Sequence, residues 1–199
     1  MGSQFNEDEI LERLLPGGSG SYVDVGAYHP FEMSNTWGLY CRGWSGLLIE
    51  PLAECWELLE TDRPRDTLIR KAASNRSSVA KLRVGGACST LEENWPIESE
   101  ELRPIETDTL ANILKEFPSI ASQCALCNID VEGHENQVLN GIDFDVFSPE
   151  LFLIESRRHG SWEQTHQEWE PILLEQGYRF IEATNDPLQF NRFYRKIRQ

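Results

Sequence analysis

Hydrophobic positions along the chain switch repeatedly between a helical and a strand period. Ile10, Leu11, Leu14 and Leu15 share one face of a helix that Asn6 can cap, with Glu9 at the capping-box position, and Pro16 and Gly17 end it. SYVDVG then reads as a short strand, followed by a helix through Met33, Trp37 and Tyr40 that stops at Gly43. GLLIEP is a second strand, LAECWELLE a helix, and TLIRKAA a third strand. SVAKLRV alternates as an antiparallel excursion would, and helix DTLANILKEF leads to a fourth strand, CALCNID. Helix ENQVLNGI, strand ELFLIE and a helix across 162–176, begun or broken at Pro171, continue the alternation. YRFIEA and QFNRFYRK flank the turn TNDP as a terminal hairpin.

Strands alternating with helices predict an α/β protein with a mainly parallel sheet and helices on both faces, in a doubly wound Rossmann-like order. With 199 residues and 40% hydrophobic content, one core suffices, so a single domain is expected over 1–199. Residues 1–20 form its N-terminal helix and turn, and 21–199 its Rossmann-like core. Ligands of such sheets bind at the carboxyl ends of the strands. Asp24, Glu50, Asp130 and Glu155 all fall there.

Charge narrows the ligand. A net charge of −15 argues against nucleic acid, whose binders neutralise phosphates with Lys and Arg. No apolar run approaches the roughly 20 residues of a membrane span, and the start MGSQFNEDEI lacks the basic and apolar regions of a signal peptide, so a soluble, cytoplasmic protein is expected. Five cysteines without framework spacing fit a reducing compartment. Cys124 and Cys127 form a C-x-x-C, but no second pair completes a zinc site, so they read as core thiols.

An acid closing the second strand can accept the ribose hydroxyls of NAD or of S-adenosylmethionine, and Glu50 lies 26 residues after Asp24. A dinucleotide also needs G-x-G-x-x-G, whereas here Gly26 is followed by the bulky Tyr28, His29 and Pro30. Phosphate-free S-adenosylmethionine is therefore favoured.

The same residues resemble the FkbM-type methyltransferases. VDVGAYHPFEMSNTWGLYCRGWSGLLIEP is similar to the opening of that family, NIDVEGHENQVLNG to its I-D-V-E-G signature, and ETDTLANIL and LFLIE to its threonine-led helix and next strand, over about residues 20–157. IEP at the second strand departs from a common IDP and lengthens the carboxylate's reach by one carbon. The resemblance implies a class I methyltransferase fold, a mainly parallel seven-stranded sheet with a C-terminal antiparallel hairpin. It also implies methyl transfer to a hydroxyl of a sugar, glycan or natural product.

On that footing Asp24, Gly26 and Ala27 would hold the methionyl end of the cofactor, Glu50 the ribose, and Ala72 and Ala73 the adenine. Asn35 and Thr36 would complete the methionyl contacts or touch the acceptor, or else only start a helix. Asp130 would end beside the reactive methyl, with Glu132 and His134 facing the same space past Gly133. His134 and His29 compete as general base, with His159 a third candidate. Asp130, Glu132 and Glu155 offer the hard oxygens that a magnesium ion prefers, and Arg157 and Arg158 offer a place for an anionic acceptor. The competing readings are a non-catalytic binding or regulatory protein on the same fold and an NAD-dependent oxidoreductase.

Overall fold

The computed structural model describes residues 2–197, so Met1, Arg198 and Gln199 of the expected domain lie outside the described residues. Among the described residues, ten strands and seven α-helices follow one another in chain order: α1 Glu7–Leu14, β1 Ser21–Val25, α2 Trp37–Cys41, β2 Ser45–Ile49, α3 Ala53–Asp62, β3 Thr67–Ile69, β4 Ala72–Ala73, β5 Ser78–Arg83, β6 Leu102–Asp108, α4 Leu110–Lys115, α5 Pro118–Gln123, β7 Cys124–Ile129, α6 Glu135–Asn140, β8 Leu151–Glu155, α7 Glu170–Glu175, β9 Tyr178–Ala183 and β10 Asn191–Lys196. The main sheet has seven strands in the order β3-β2-β1-β7-β8-β10-β9. β10 pairs antiparallel with both β8 and β9, so it alone runs against the others.

Nearly every residue of β1, β2, β7 and β8 is buried, as expected of parallel strands covered on both faces. Successive side chains serve opposite layers. Val23, Val25, Leu47, Ile49, Cys127 and Ile129 belong to one apolar cluster, and Tyr22, Leu48 and Leu126 to the other. Among the described residues, no helix is long and apolar enough to cross a membrane.

Four local expectations change. Asn6 precedes α1 but makes no side-chain cap; its Oδ1 accepts the Asn185 amide at 2.8 Å and ties the helix start to the terminal hairpin. The stretch TLIRKAA divides, because β2 offers no pairing partner beyond Ile49, which faces Ile69. Ala72 and Ala73 pair instead with Thr107 and Asp108 of β6 in a second sheet, ordered β4-β6-β5. β6 itself escapes a reading from pattern: it carries Pro104, and of its seven positions only Thr107 is buried. The helix expected over 162–176 is six residues long, beginning at Glu170 beside Pro171. Met33 lies outside α2 in a left-handed conformation.

Candidate active site

β2, β1, β7 and β8 are neighbours, so their carboxyl ends bring Glu50, Asp24, Asp130 and Glu155 to one edge of the sheet. Gly26 has φ +85°, and a Cβ there would stand 1.8 Å from the Asp130 carbonyl oxygen, so only glycine lets the two strand ends approach so closely. Its amide donates to Ile49 O at 2.9 Å, which binds the end of β2 into the same knot.

On one side of this knot lies a cleft of about 520 Å³, counting its open mouth, whose walls include Glu50, Ala72, Ala73, Leu82 and Leu91. The Glu50 carboxyl is fixed by two backbone amides, Tyr28 to Oε2 and Leu52 to Oε1, each at 2.7 Å. Burial pushes its pKa up to about 7, against the opposing pull of those two amides. Glu50, Ala72 and Ala73 thus share one cavity.

Behind the other side runs a chain of buried polar groups. Thr36 Oγ1 donates to Asp24 Oδ2 at 2.5 Å, and Asn128 Nδ2 donates to Asp24 Oδ1 at 2.8 Å. Asn35 Nδ2 in turn donates to Asn128 Oδ1 at 3.2 Å. Asn128 sits opposite Asp24 in the register of β1 and β7, which is why the two side chains meet. Burial raises the Asp24 pKa, while Thr36, Arg63 and Asn128 counteract it. Arg63, 1% exposed, donates to Thr36 Oγ1 at 3.0 Å, to Tyr22 Oη at 2.6 Å and to Asp66 at 2.8 Å. Thr36 is fully buried and reaches the cavities only through Asp24.

A second cavity, about 870 Å³ with its mouth, shares Gly26, Tyr28, Ala87 and Asp130 with the first. Its walls carry Asp24, Asp130, Glu132 and Glu155 and, among the described residues, no Lys or Arg. Burial holds both Asp130 and Glu155 well above the ordinary carboxylate range; the charge of Glu132 next raises Asp130 and that of Asp130 raises Glu155, while a hydrogen bond with Glu155 pulls Asp130 back down. Glu132, in a left-handed turn at φ 52°, is held by the Trp95 indole N–H, which donates to Oε2 at 2.9 Å. The Trp95 ring packs where a Cβ on Gly133 would stand, 2.3 Å away. His159 lines the same cavity with Nδ1 3.6 Å from Cys88 Sγ, leaving Nε2 without a partner among the described residues.

The histidines are arranged differently from the sequence expectation. His134 does not share a cavity with Glu132: it faces the cleft that Glu50 lines, with Nε2 2.9 Å from Ser74 Oγ and Nδ1 2.7 Å from Glu92 Oε1. With both ring nitrogens engaged, it has none left for an acceptor. His29 accepts the Glu32 amide on Nδ1 at 3.0 Å, packs edge-on against Phe31 and lies outside both cavities. His159 is therefore the histidine that joins the acids. Glu135 is structural, since its Oε1 accepts the Val131 and Gly133 amides at 3.2 and 3.1 Å and closes the turn. Arg157 donates to Trp162 O at 2.6 Å and Arg158 stacks 4.9 Å over Trp95; neither lines the acid cavity, which removes the anionic-acceptor site. Cys124 and Cys127 are buried free thiols of the core. Asn128, Trp95, Ser74, Glu92 and Arg63 were not singled out from sequence; Asn128 alone carries a signal, as the polar residue that breaks the apolar run of β7.

The profile described as the methyltransferase FkbM domain matches residues 24–180. Among solved structures, methyltransferase FkbM from Methylobacillus flagellatus superposes with a TM-score of 0.59 at 16% identity, over 89% of this chain and 44% of that one. The chain thus spans less than half the length of that relative. A TehB-like SAM-dependent methyltransferase from Corynebacterium glutamicum superposes with a TM-score of 0.52 at 10% identity, over 98% of this chain and 89% of that one. At such identities the likeness is one of fold. No curated protein matches the chain.

Proposed function

Because the chain belongs to the FkbM methyltransferase family, we propose that it transfers a methyl group from S-adenosylmethionine to a hydroxyl oxygen of a sugar, glycan or natural product. One observation carries this reading: the cleft beside Glu50 and the acid cavity meet at Gly26, Tyr28, Ala87 and Asp130. A nucleoside with a charged tail and a separate acceptor need two compartments joined in that way.

The residues fit the cofactor. Each Glu50 oxygen accepts one amide and keeps a lone pair, so the carboxylate can take two ribose hydroxyls. Ala72 and Ala73 leave flat apolar space for adenine. Gly26, Ala27, Asp24 and Asn35 border the route into the acid cavity and suit the methionyl end, with Thr36 positioning Asp24 from behind. When bound, the cofactor supplies an electrophilic methyl group on a cationic sulfur.

The chain's own work is positioning and proton removal. Asp130 stands at the junction of the two cavities, beside the place the transferring methyl would take. His159 would take the acceptor's proton on Nε2, and Glu132, within 4.8 Å, would stabilise the imidazolium. A cavity with four acids and no Lys or Arg suits a neutral, hydroxylated acceptor. The net charge of −15 turns polyphosphates such as nucleic acid away. Calorimetry with S-adenosylmethionine and its demethylated product, followed by a screen of hydroxylated acceptors for product formation, tests the proposal. Absence of binding by either nucleoside at millimolar concentration rejects it.

A further inference from the structure

We infer that Asp130, Glu132 and Glu155 form a binding site for a divalent cation that prefers oxygen, of the magnesium or manganese type. One carboxylate oxygen from each lies within 4.8 Å of the other two. Magnesium bonds oxygen at about 2.0 to 2.1 Å and calcium at about 2.3 to 2.6 Å, so ligands of one ion lie up to about 4 Å apart for the smaller ion and about 5 Å for the larger, and the smaller needs a shift of a few tenths of an ångström in the side chains. The three come from separate supports: Asp130 directly follows β7, Glu132 sits in the left-handed turn beyond it, and Glu155 ends β8.

Glu155 is what distinguishes this cluster from an ordinary acidic patch. The residue is 9% exposed, and its Oε2 is sealed from solvent without a hydrogen-bond partner. A buried carboxylate oxygen facing two more carboxylates is unfavourable unless a positive charge or a proton stands between them. The walls supply no Lys or Arg. A proton shared between Asp130 and Glu155 would settle that pair but leave Glu132, fixed on one oxygen by Trp95, repelled by its neighbours. A divalent ion satisfies all three. It would also draw an acceptor hydroxyl toward the junction of the two cavities, opposite His159. The inference stands apart from the methyl-transfer reading, because the ion is measured with neither cofactor nor acceptor present.

The test uses the full chain after dialysis against a chelator. Terbium(III), a luminescent stand-in for such ions, is titrated while tryptophan is excited, since Trp95 touches Glu132 and will sensitise an ion held there. The expected result is saturable emission that manganese or magnesium displaces, with Glu155→Gln binding at least tenfold more weakly and Glu163→Gln, an exposed acid elsewhere, binding as the parent chain does. Manganese titration followed by electron paramagnetic resonance on the unaltered chain gives an answer that needs no variant. Emission that never saturates, a free-manganese signal that is not depleted, displacement by zinc alone, or equal affinity in a folded Glu155→Gln would each overturn the site.

Discussion

The carbonyl oxygen of Asp130 stands 1.8 Å from where a Cβ on Gly26 would lie. The two acidic motifs of the chain are therefore halves of one structure, and the residue type at position 26 sets how far apart they sit. Gly26→Ala must separate the end of β1 from the turn after β7, in a backbone of φ +85° that itself disfavours alanine. The variant is expected to lose cofactor binding by at least tenfold and to melt several degrees lower, as read by calorimetry and thermal denaturation. Parent-like values for both would remove the claim that this contact shapes the site.

If Glu50 holds the ribose as proposed, it ties cofactor affinity to pH. Only the ionised carboxyl offers full acceptor strength to two ribose hydroxyls, and burial puts its pKa at about 7. Cofactor binding should therefore weaken as pH falls from 8 to 6. Glu50→Gln should weaken it at pH 8 by at least tenfold, corresponding to one charge-assisted hydrogen bond of about 1.5 to 3 kcal/mol. Calorimetric titration at the two pH values checks both statements.

Folding stability should move the opposite way. Glu50 and Glu135 have native pKa values of about 7 against ordinary values of 4.5, so the native state binds more protons than the unfolded chain between those limits. Stability is then fully present below pH 4.5 for these two groups and declines as pH rises through 7, by about 3 kcal/mol for each. The midpoint of chemical denaturation should be higher at pH 5.5 than at pH 8. Glu135→Gln, which still accepts the Val131 and Gly133 amides, should flatten part of that slope.

Arg63 holds Asp66, Tyr22, Thr36 and the Pro30 carbonyl together from a fully buried position. Removing one partner of a buried ion pair costs about 3 to 5 kcal/mol. Arg63→Ala should lower the melting temperature by roughly 6 to 20 °C for a domain of this size. Arg63→Lys should recover little, because an ammonium cannot span these acceptors. Differential scanning calorimetry of both variants measures the difference.

Strand ends were readable from sequence because their signal is local: VDVG and NIDVEG each pair an apolar run with an acid and a glycine, and the structure joins those ends. Side-chain direction was not. His134 is oriented by Ser74 and Glu92, 60 and 42 residues away in the chain, and no local pattern encodes that. β6 was unreadable for a related reason, since a strand lying on a small outer sheet needs few buried positions and carries a proline. From sequence, His29 and His134 stand as rival general bases. Their partners turn them apart, one onto the backbone amide of Glu32 and the other between Ser74 and Glu92.

The three histidines can be separated by how their loss divides between binding and turnover. His159 borders the acid cavity with Nε2 unpartnered among the described residues, while His134 braces the wall of the cleft that Glu50 lines. His159→Ala should lower kcat by about 10²- to 10⁴-fold with cofactor affinity nearly intact, the range for loss of a general base. His134→Ala should instead weaken cofactor binding and stability, because it frees Ser74 and leaves Glu92 without its 2.7 Å partner, with kcat at saturating cofactor changed little. His29→Ala should leave both quantities near those of the parent chain. The reverse division, with turnover lost in His134→Ala and retained in His159→Ala, would return the proton to the adenine side of the junction and refute the placement of the acceptor in the acid cavity.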